Sequence, residues 1–125
     1  MKVYLAAPWV ARHAAHEIAK TIRAAGHEVT SRWHDEWLNQ DTSDPAVLCQ
    51  EAQNDFADVI RSEVVVVWNT QKSEGKAVEQ GIAICFELPV IVIGEARTNV
   101  FQYLTGFSLV PTVEAALEEI AALDV

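Results

Sequence analysis

The clearest pattern along this chain is an alternation between short apolar runs and longer segments with helical periodicity. Apolar residues dominate the runs at Lys2–Ala6, Val64–Trp68 and 89–93, as is typical of strands buried on both faces of a parallel sheet. A more polar run at 27–30 predicts an edge strand, and residues Phe107–Val110 predict a further strand. The pattern therefore predicts five strands.

Four segments with a helical period separate or follow these strands. They are residues 10–25, 45–61, 75–87 and Val113–Leu123. Gly26 ends the first of these helices, and Thr112 caps the last. Ser43 or Asp44 caps the second helix, which has Pro45 in its first turn. Each helix therefore has a recognisable start or stop signal.

Strands and helices that alternate singly indicate an α/β fold with a parallel sheet and helices on both faces. We expect a flavodoxin-like or Rossmann-like three-layer sandwich with five strands in the order 2-1-3-4-5. This order places the ligand crevice between strands one and three, at their carboxyl ends. Residues 1–125 show no internal repeat or linker, so a single domain is expected.

Composition narrows the possible partners. The 125 residues are 50% hydrophobic and carry a net charge of −9, which disfavours a nucleic-acid polymer or an anionic membrane as partner. No apolar run reaches the roughly 18 residues that cross a bilayer, and we expect no signal peptide and a cytoplasmic location. Cys49 and Cys85 fall in helical segments without a CxxC pair, so small buried residues are expected rather than a disulfide or metal site.

The strongest candidate for chemistry is Glu79. Its segment, 73–81, follows the central apolar strand and opens the next helix, which puts this carboxylate at the mouth of the crevice. Asp55 lies on the preceding helix and faces either the same crevice or solvent, where helical aspartates are common. Two acids that share a partly apolar pocket acquire different pKa values and can divide the work of glycosidic cleavage.

Three segments carry a resemblance to a known family. Residues 3–9, where a tyrosine is followed five residues later by a tryptophan, are similar to the family's first strand and loop. Residues 55–66 resemble its aspartate-bearing helix and the strand that follows, and residues 73–83 resemble its nucleophile motif. Together, with Asp55 standing 24 residues before Glu79, they resemble the nucleoside 2-deoxyribosyltransferases and the related nucleoside-monophosphate N-glycosidases over nearly the whole chain.

The resemblance implies a role for each matching residue. Glu79 would attack C1′ of a deoxynucleoside to form a deoxyribosyl-enzyme, Asp55 would protonate or hydrogen-bond the departing base, and Tyr4 would orient Glu79. Trp9 would stack on the base, and Asn99 would bind the sugar 5′-hydroxyl in a neighbouring subunit. The implied substrate-binding residues are Ala7, Pro8, Trp9, Ser73, Gly75, Asn99 and Phe101.

The function implied is transfer of 2-deoxyribose from a nucleoside to another nucleobase, as in nucleoside salvage. The alternative is hydrolysis of a nucleoside or its 5′-monophosphate by the same carboxylates. Ser73 stands where the transferases often place an aspartate, while Asn99 favours transfer. Residues 7–10 lack the hydrolases' glycine-rich phosphate loop, which favours an unphosphorylated substrate, although Arg12 or Arg97 offers a phosphate contact.

The implied partners are a small-molecule nucleoside and a nucleobase, with no cofactor or metal, in a homodimer or homohexamer. Residues 101, 103, 104 and 107 are apolar and belong either to an assembly surface or to the core.

Two weaker motifs, for a phosphate-binding loop and for a metal site, are incomplete in this sequence. The 75–76 pair fails the Walker A pattern, because Thr70 and Ala77 stand at two of its required positions. His13 and His16, one helical turn apart, could supply half a metal site, but the sequence offers no clear third ligand.

Residues 32–44 predict a loop longer than a simple connection, and 32–37 is either a lid over a base or a loop anchored by tryptophan rings. Trp68 ends a buried strand and is expected in the core. A receiver module requires acidic residues after strand one and a phosphoacceptor aspartate after strand three. This chain instead has Ala6, Ala7 and Pro8 after strand one, and Asn69 and Thr70 after strand three, which disfavours a receiver function.

Overall fold

The computed structural model describes residues 1–36 and 43–124. The strands are β1 (Lys2–Ala6), β2 (Glu28–Val29), β3 (Val64–Trp68), β4 (Val90–Ile93) and β5 (Phe107–Val110). The helices are α1 (Arg12–Ala24), α2 (Trp33–Glu36), α3 (Pro45–Ile60), α4 (Glu74–Cys85) and α5 (Val113–Leu123). Short 3₁₀ helices occupy Trp9–Ala11 and Val100–Tyr103.

The five strands form one parallel sheet in the order β2-β1-β3-β4-β5, which confirms the predicted flavodoxin-like α/β topology. Tyr4 of β1 pairs in register with Val65 of β3, and Val65 pairs with Val90 of β4. From β1 the chain runs first to one neighbour and later to the other, so the crevice opens beyond the carboxyl ends of β1 and β3.

The side chains of β1 alternate between two cores because successive residues of a strand point to opposite faces. Val3 and Leu5 pack with residues of α1 and α5. Tyr4 and Ala6 pack on the other face, with Val59 of α3 and Ala83 of α4. This alternation places Tyr4 on the side of the sheet that is covered by the helices bearing Asp55 and Glu79.

Several predicted boundaries shift by one to three residues. The first helix begins as the 3₁₀ turn after Pro8 and becomes α-helical at Arg12, and α4 ends at Cys85 rather than Glu87. Asp44, not Ser43, caps α3, accepting a hydrogen bond from the Ala46 amide at 2.9 Å. The predicted strand at 27–30 is only two residues long, but it lies at the sheet edge as expected.

The loop predicted at 32–44 contains the short helix α2, and residues 37–42 lie outside the described residues. Trp68 is partly buried against the core, as expected. Phe101, Tyr103 and Leu104 are exposed, whereas Phe107 packs on the core. Among the helices of the described residues, none is long and apolar enough to cross a membrane.

The prediction that Cys49 and Cys85 are small buried residues is wrong, because both are exposed. Cys49 lies in the first turns of α3, where residues 43–50 are all exposed, and Cys85 is the last residue of α4. A helical position therefore did not imply burial, since only part of each helix packs on the sheet.

Candidate active site

A cavity of about 730 Å³ lies beyond the carboxyl ends of β1 and β3, at the predicted crevice. Its wall comes from the turn after β1, the start of α2, the middle of α3 and the first half of α4. This volume is typical of a site for a small organic ligand.

Glu79 is the most buried carboxylate in the cavity wall, with 9% of its surface exposed. The fully buried Tyr4 hydroxyl donates a hydrogen bond to a Glu79 carboxylate oxygen. Burial raises the pKa of Glu79 to about 8; the Tyr4 hydrogen bond opposes this shift, and the negative charge of Asp55 adds to it. Burial and the Glu79 charge likewise raise the pKa of Tyr4 well above its ordinary value.

Asp55 lies on α3, partly buried, in the wall of the same cavity. Its charge raises the pKa of both Glu79 and Tyr4, which means that the three groups are close enough to interact. The structure thus brings the predicted catalytic residues together and argues against the alternative of a solvent-facing aspartate. A buried carboxylate, a hydroxyl donor and a second acid can support nucleophilic attack with acid catalysis.

The predicted substrate-binding residues divide into two groups. Ala7, Trp9, Ser73 and Gly75 line the cavity with Glu79. Three others are not among its lining residues, namely Pro8, Asn99 and Phe101. Pro8 is buried beside the 3₁₀ turn.

Asn99 caps the second 3₁₀ helix by accepting a hydrogen bond from the Phe101 amide at 2.9 Å. It lines a smaller cavity, of about 380 Å³, next to Ser73 and Lys76. Phe101 is 61% exposed. Within one chain, Asn99 and Glu79 therefore line two neighbouring cavities, which share Ser73 and Lys76.

Two tryptophans form an aromatic wall. The rings of Trp9 and Trp33 lie 6.3 Å apart, centroid to centroid, at 42°. Trp33 is anchored by a hydrogen bond from its indole Nε1 to the Leu5 carbonyl at 2.9 Å, and the Arg12 guanidinium lies 5.0 Å from the centre of the Trp9 ring. Trp33 is thus both an anchor of its segment and part of the cavity wall, so the two interpretations of this segment are not exclusive.

A buried polar network that the sequence did not indicate joins α4 to the end of β3. Lys76 is only 2% exposed, and its Nζ donates to Asn69 Oδ1 at 2.8 Å and to the Gln71 carbonyl. Burial lowers the pKa of Lys76. Gln102 donates to Gln80 Oε1 at 2.9 Å and to Asn69 Oδ1 at 3.2 Å. Lys76 stands three residues before Glu79 and hence on the same side of the helix, but this position did not indicate its buried partners.

Three more polar residues in the cavity wall were also missed: Arg32, Glu51 and Asn54. Arg32 donates to the fully buried Asp58 carboxylate from Nε, at 3.0 Å, and from Nη2, at 2.9 Å. Helical spacing was the available signal for Glu51, which lies one turn before Asp55 on α3.

A third polar cluster involves His16 but not His13. His16 Nδ1 and His34 Nδ1 lie 2.9 and 3.1 Å from the same Asp35 oxygen, and Arg23 donates to the other oxygen at 2.6 Å. The ligand atoms of His16, His34 and Asp35 lie within 4.8 Å of one another, so of the predicted histidine pair only His16 belongs to a group with metal-ligand spacing. The ligand atoms of these groups are already satisfied by hydrogen bonds with one another and by the positive charge of Arg23.

Ser31 Oγ lies 2.7 Å from His34 Nε2, so the cluster also contains a chain of contacts from a serine through a histidine to an aspartate. The Ser31 hydroxyl is 1% exposed and accepts a hydrogen bond from the Leu5 amide. It is not among the residues that line the large cavity. A nucleophile must reach its substrate, so we interpret this cluster as structural.

No protein-family model matches the sequence, and no curated protein matches it significantly. Three solved structures share its fold. A CMP N-glycosidase, BcmB, from Clostridium botulinum is 14% identical, with a TM-score of 0.63 over 98% of this chain and 99% of the other. A 2-deoxyribosyltransferase from Bacillus psychrosaccharolyticus is 16% identical, with a TM-score of 0.70 over 94% and 90%.

The third structure is a conserved protein from Enterococcus faecalis V583. It is 16% identical, with a TM-score of 0.73 over 98% of both chains. All three likenesses extend over nearly the full length of each chain, so the fold is shared from end to end.

Proposed function

We propose that this protein is an enzyme that cleaves the N-glycosidic bond of a nucleoside or nucleotide, with Glu79 as the nucleophile. The observation that carries the proposal is the buried Glu79 carboxylate, which receives the Tyr4 hydrogen bond in a cavity shared with Asp55. The likeness to a 2-deoxyribosyltransferase and a CMP N-glycosidase supports it, as does the sequence resemblance to their family.

In the proposed mechanism, an oxygen of the ionised Glu79 forms an ester bond with C1′ while the bond from C1′ to the base breaks. Asp55 gives its proton to the departing base nitrogen, and the Tyr4 hydroxyl holds the attacking carboxylate in position. In the second step an acceptor attacks C1′, the ester bond to Glu79 breaks, and Asp55 takes the acceptor's proton. The acceptor is a second nucleobase in transfer and water in hydrolysis.

The first candidate activity is transfer of 2-deoxyribose between nucleobases. Transfer requires that an incoming base compete with water for the intermediate, and the Trp9 and Trp33 rings offer a stacking surface for that base. The loop after β1, with buried Pro8, lacks a glycine-rich phosphate cradle, which supports an unphosphorylated donor.

The second candidate is hydrolysis of a nucleoside 5′-monophosphate. It is favoured by Ser73 and Gly75, which line the cavity at the amino end of α4. Backbone amides at a helix N-terminus suit a phosphate group.

For assembly we propose a homodimer or homohexamer in which Asn99 acts in a neighbouring subunit. Asn99 is not among the residues that line the Glu79 cavity of its own chain, and exposed apolar side chains follow it along the chain at Phe101, Tyr103 and Leu104. Exposed apolar groups of this kind favour a protein interface.

The test is chromatographic. The protein is incubated with deoxynucleosides or their monophosphates, each with and without a second free base, beside the Glu79→Ala variant. A new deoxynucleoside formed only with added base supports transfer, and base release at an acceptor-independent rate supports hydrolysis. Turnover of none of these substrates, or equal turnover by Glu79→Ala, would contradict the proposal.

A further inference from the structure

The proposed reaction fixes where the base must lie. With C1′ at Glu79 and the glycosidic nitrogen at Asp55, the base occupies the part of the cavity beyond Asp55. Glu51 lies in that wall, four residues before Asp55 on α3 and therefore about 6 Å along the helix axis on the same side. One helical turn is a distance that a nucleobase ring can bridge.

The polar groups in this part of the wall differ in their existing bonds. Arg32 is held by the buried Asp58 carboxylate, and Asn54 Oδ1 accepts a hydrogen bond from Gln50 Nε2 at 3.0 Å. Within residues 1–36 and 43–124, the Glu51 carboxylate takes part in no hydrogen bond or ion pair, although it is partly buried. Glu51 is therefore the wall group whose acceptor capacity is open to a ligand.

An ionised carboxylate only accepts hydrogen bonds, so it needs an N–H or O–H donor. Cytosine and adenine present an exocyclic amino group, whereas uracil and hypoxanthine, respectively, present a carbonyl oxygen in its place. A carbonyl oxygen against the Glu51 carboxylate would leave two partly desolvated acceptors facing each other, which is unfavourable.

From these observations we infer that Glu51 is a specificity residue that accepts a hydrogen bond from the exocyclic amino group of the base. The inference rests on the proposed N-glycosidic function and names its substrate class, nucleosides or nucleotides of amino-bearing bases. Carboxylate recognition of an amino group is expected to favour it over the matching oxo base by about 10- to 100-fold.

The experiment measures kcat/KM for two matched pairs, deoxycytidine with deoxyuridine and deoxyadenosine with deoxyinosine, or for their monophosphates. The variant is Glu51→Gln, whose amide can also donate to a carbonyl oxygen. The control is Glu118→Gln, which removes one negative charge from an exposed position on α5. Comparing each preference between variants cancels the intrinsic difference in leaving-group reactivity.

We expect Glu51→Gln to lower the preference for the amino partner by about tenfold or more relative to the wild type, and Glu118→Gln to leave that preference unchanged. A preference in Glu51→Gln equal to that of the wild type would overturn the inference.

Calorimetric binding of free cytosine and uracil to the same proteins gives a second readout that needs no turnover. A Glu51-dependent preference for cytosine without turnover would support the role of Glu51 and count against the proposed catalysis. Binding that is the same in the wild type and Glu51→Gln would overturn the role of Glu51, whatever the turnover.

Discussion

At the scale of single residues, Glu79 combines two opposing requirements. Burial favours its neutral form and raises its pKa to about 8, whereas nucleophilic attack needs the ionised carboxylate. The Tyr4 hydrogen bond lowers this pKa and the Asp55 charge raises it. The two neighbours therefore act on Glu79 in opposite directions.

The first prediction concerns pH. Because the folded-state pKa of Glu79 is raised, the fraction of ionised nucleophile increases as pH rises towards 8, and kcat/KM of the free enzyme rises with it. Tyr4→Phe removes the hydrogen bond that lowers this pKa, so its rising limb shifts to higher pH and kcat falls about 10- to 100-fold. The measurement is a kcat/KM profile against pH, with the exposed Tyr103→Phe as control. A Tyr4→Phe profile that coincides with the wild type would contradict it.

The second prediction concerns acid catalysis. Asp55→Asn removes the proton donor and should lower kcat by about 10²- to 10⁴-fold for nucleosides with poor leaving groups. The loss should be smaller for 5-fluorodeoxyuridine than for deoxyuridine, because the fluorinated base departs more readily as an anion.

Single-turnover rates on the two substrates, with the exposed Asp124→Asn as control, measure the leaving-group effect. Equal losses on both substrates would mean that Asp55 does not donate the proton.

At the scale of elements, the buried network of Gln102 fastens the segment after β4 to α4. Gln102 Nε2 donates to Gln80, and its Oε1 accepts from the Thr98 amide at 2.8 Å. Asn99 follows Thr98 directly, so the same bonds determine where Asn99 stands relative to the start of α4.

The third prediction is that Gln102→Leu lowers the free energy of unfolding by at least about 2 kcal/mol. The substitution leaves the buried polar groups of Asn69 and Gln80 without a partner at the Gln102 position, and unsatisfied buried groups are costly. Urea denaturation measures the change, and the exposed Gln53→Leu serves as the matched control. Equal midpoints for the two variants would show that the network contributes little.

The elements also show which parts of the molecule the sequence could predict. β3 was predictable to the residue because a strand buried on both faces has an uninterrupted apolar sequence. α2 was not, because four residues held by the Trp33 and Asp35 side chains leave no periodic pattern. The exposure of Cys49 was missed because helical periodicity does not reveal where a helix leaves the sheet.

The candidate site follows the same division. Glu79 could be identified as a site residue because its position depends on one strand and the helix that follows it. Its contact with Tyr4 depends on the order of the strands in the sheet. Lys76 could not be recognised as buried, since its partner Asn69 comes from a different element. Contacts between distant segments are set by tertiary packing and leave no local signal.

At the scale of the whole molecule, the fourth prediction tests whether Asn99 acts in a neighbouring subunit. Glu79→Ala and Asn99→Ala should each be nearly inactive alone. Co-expression should restore activity, because a mixed assembly contains a site with one intact Glu79 and one intact Asn99. The readout is base release by the purified mixed oligomer.

The control pairs Glu79→Ala with Asp55→Asn. Both residues line the same cavity of one chain, so mixing these variants should restore nothing. Full activity of Asn99→Ala alone, or no recovery in the Glu79→Ala and Asn99→Ala mixture, would contradict a shared site.

The exposure of the two cysteines also makes them natural attachment points for spectroscopic probes. The chain contains only two cysteines, one on α3 and one on α4, and both of these helices contribute to the cavity wall. Nitroxide labels on Cys49 and Cys85 would report the separation of α3 and α4 by electron–electron resonance, without any engineered residue. Spectra with and without a nucleoside would then measure directly whether the two helices move when the cavity is filled.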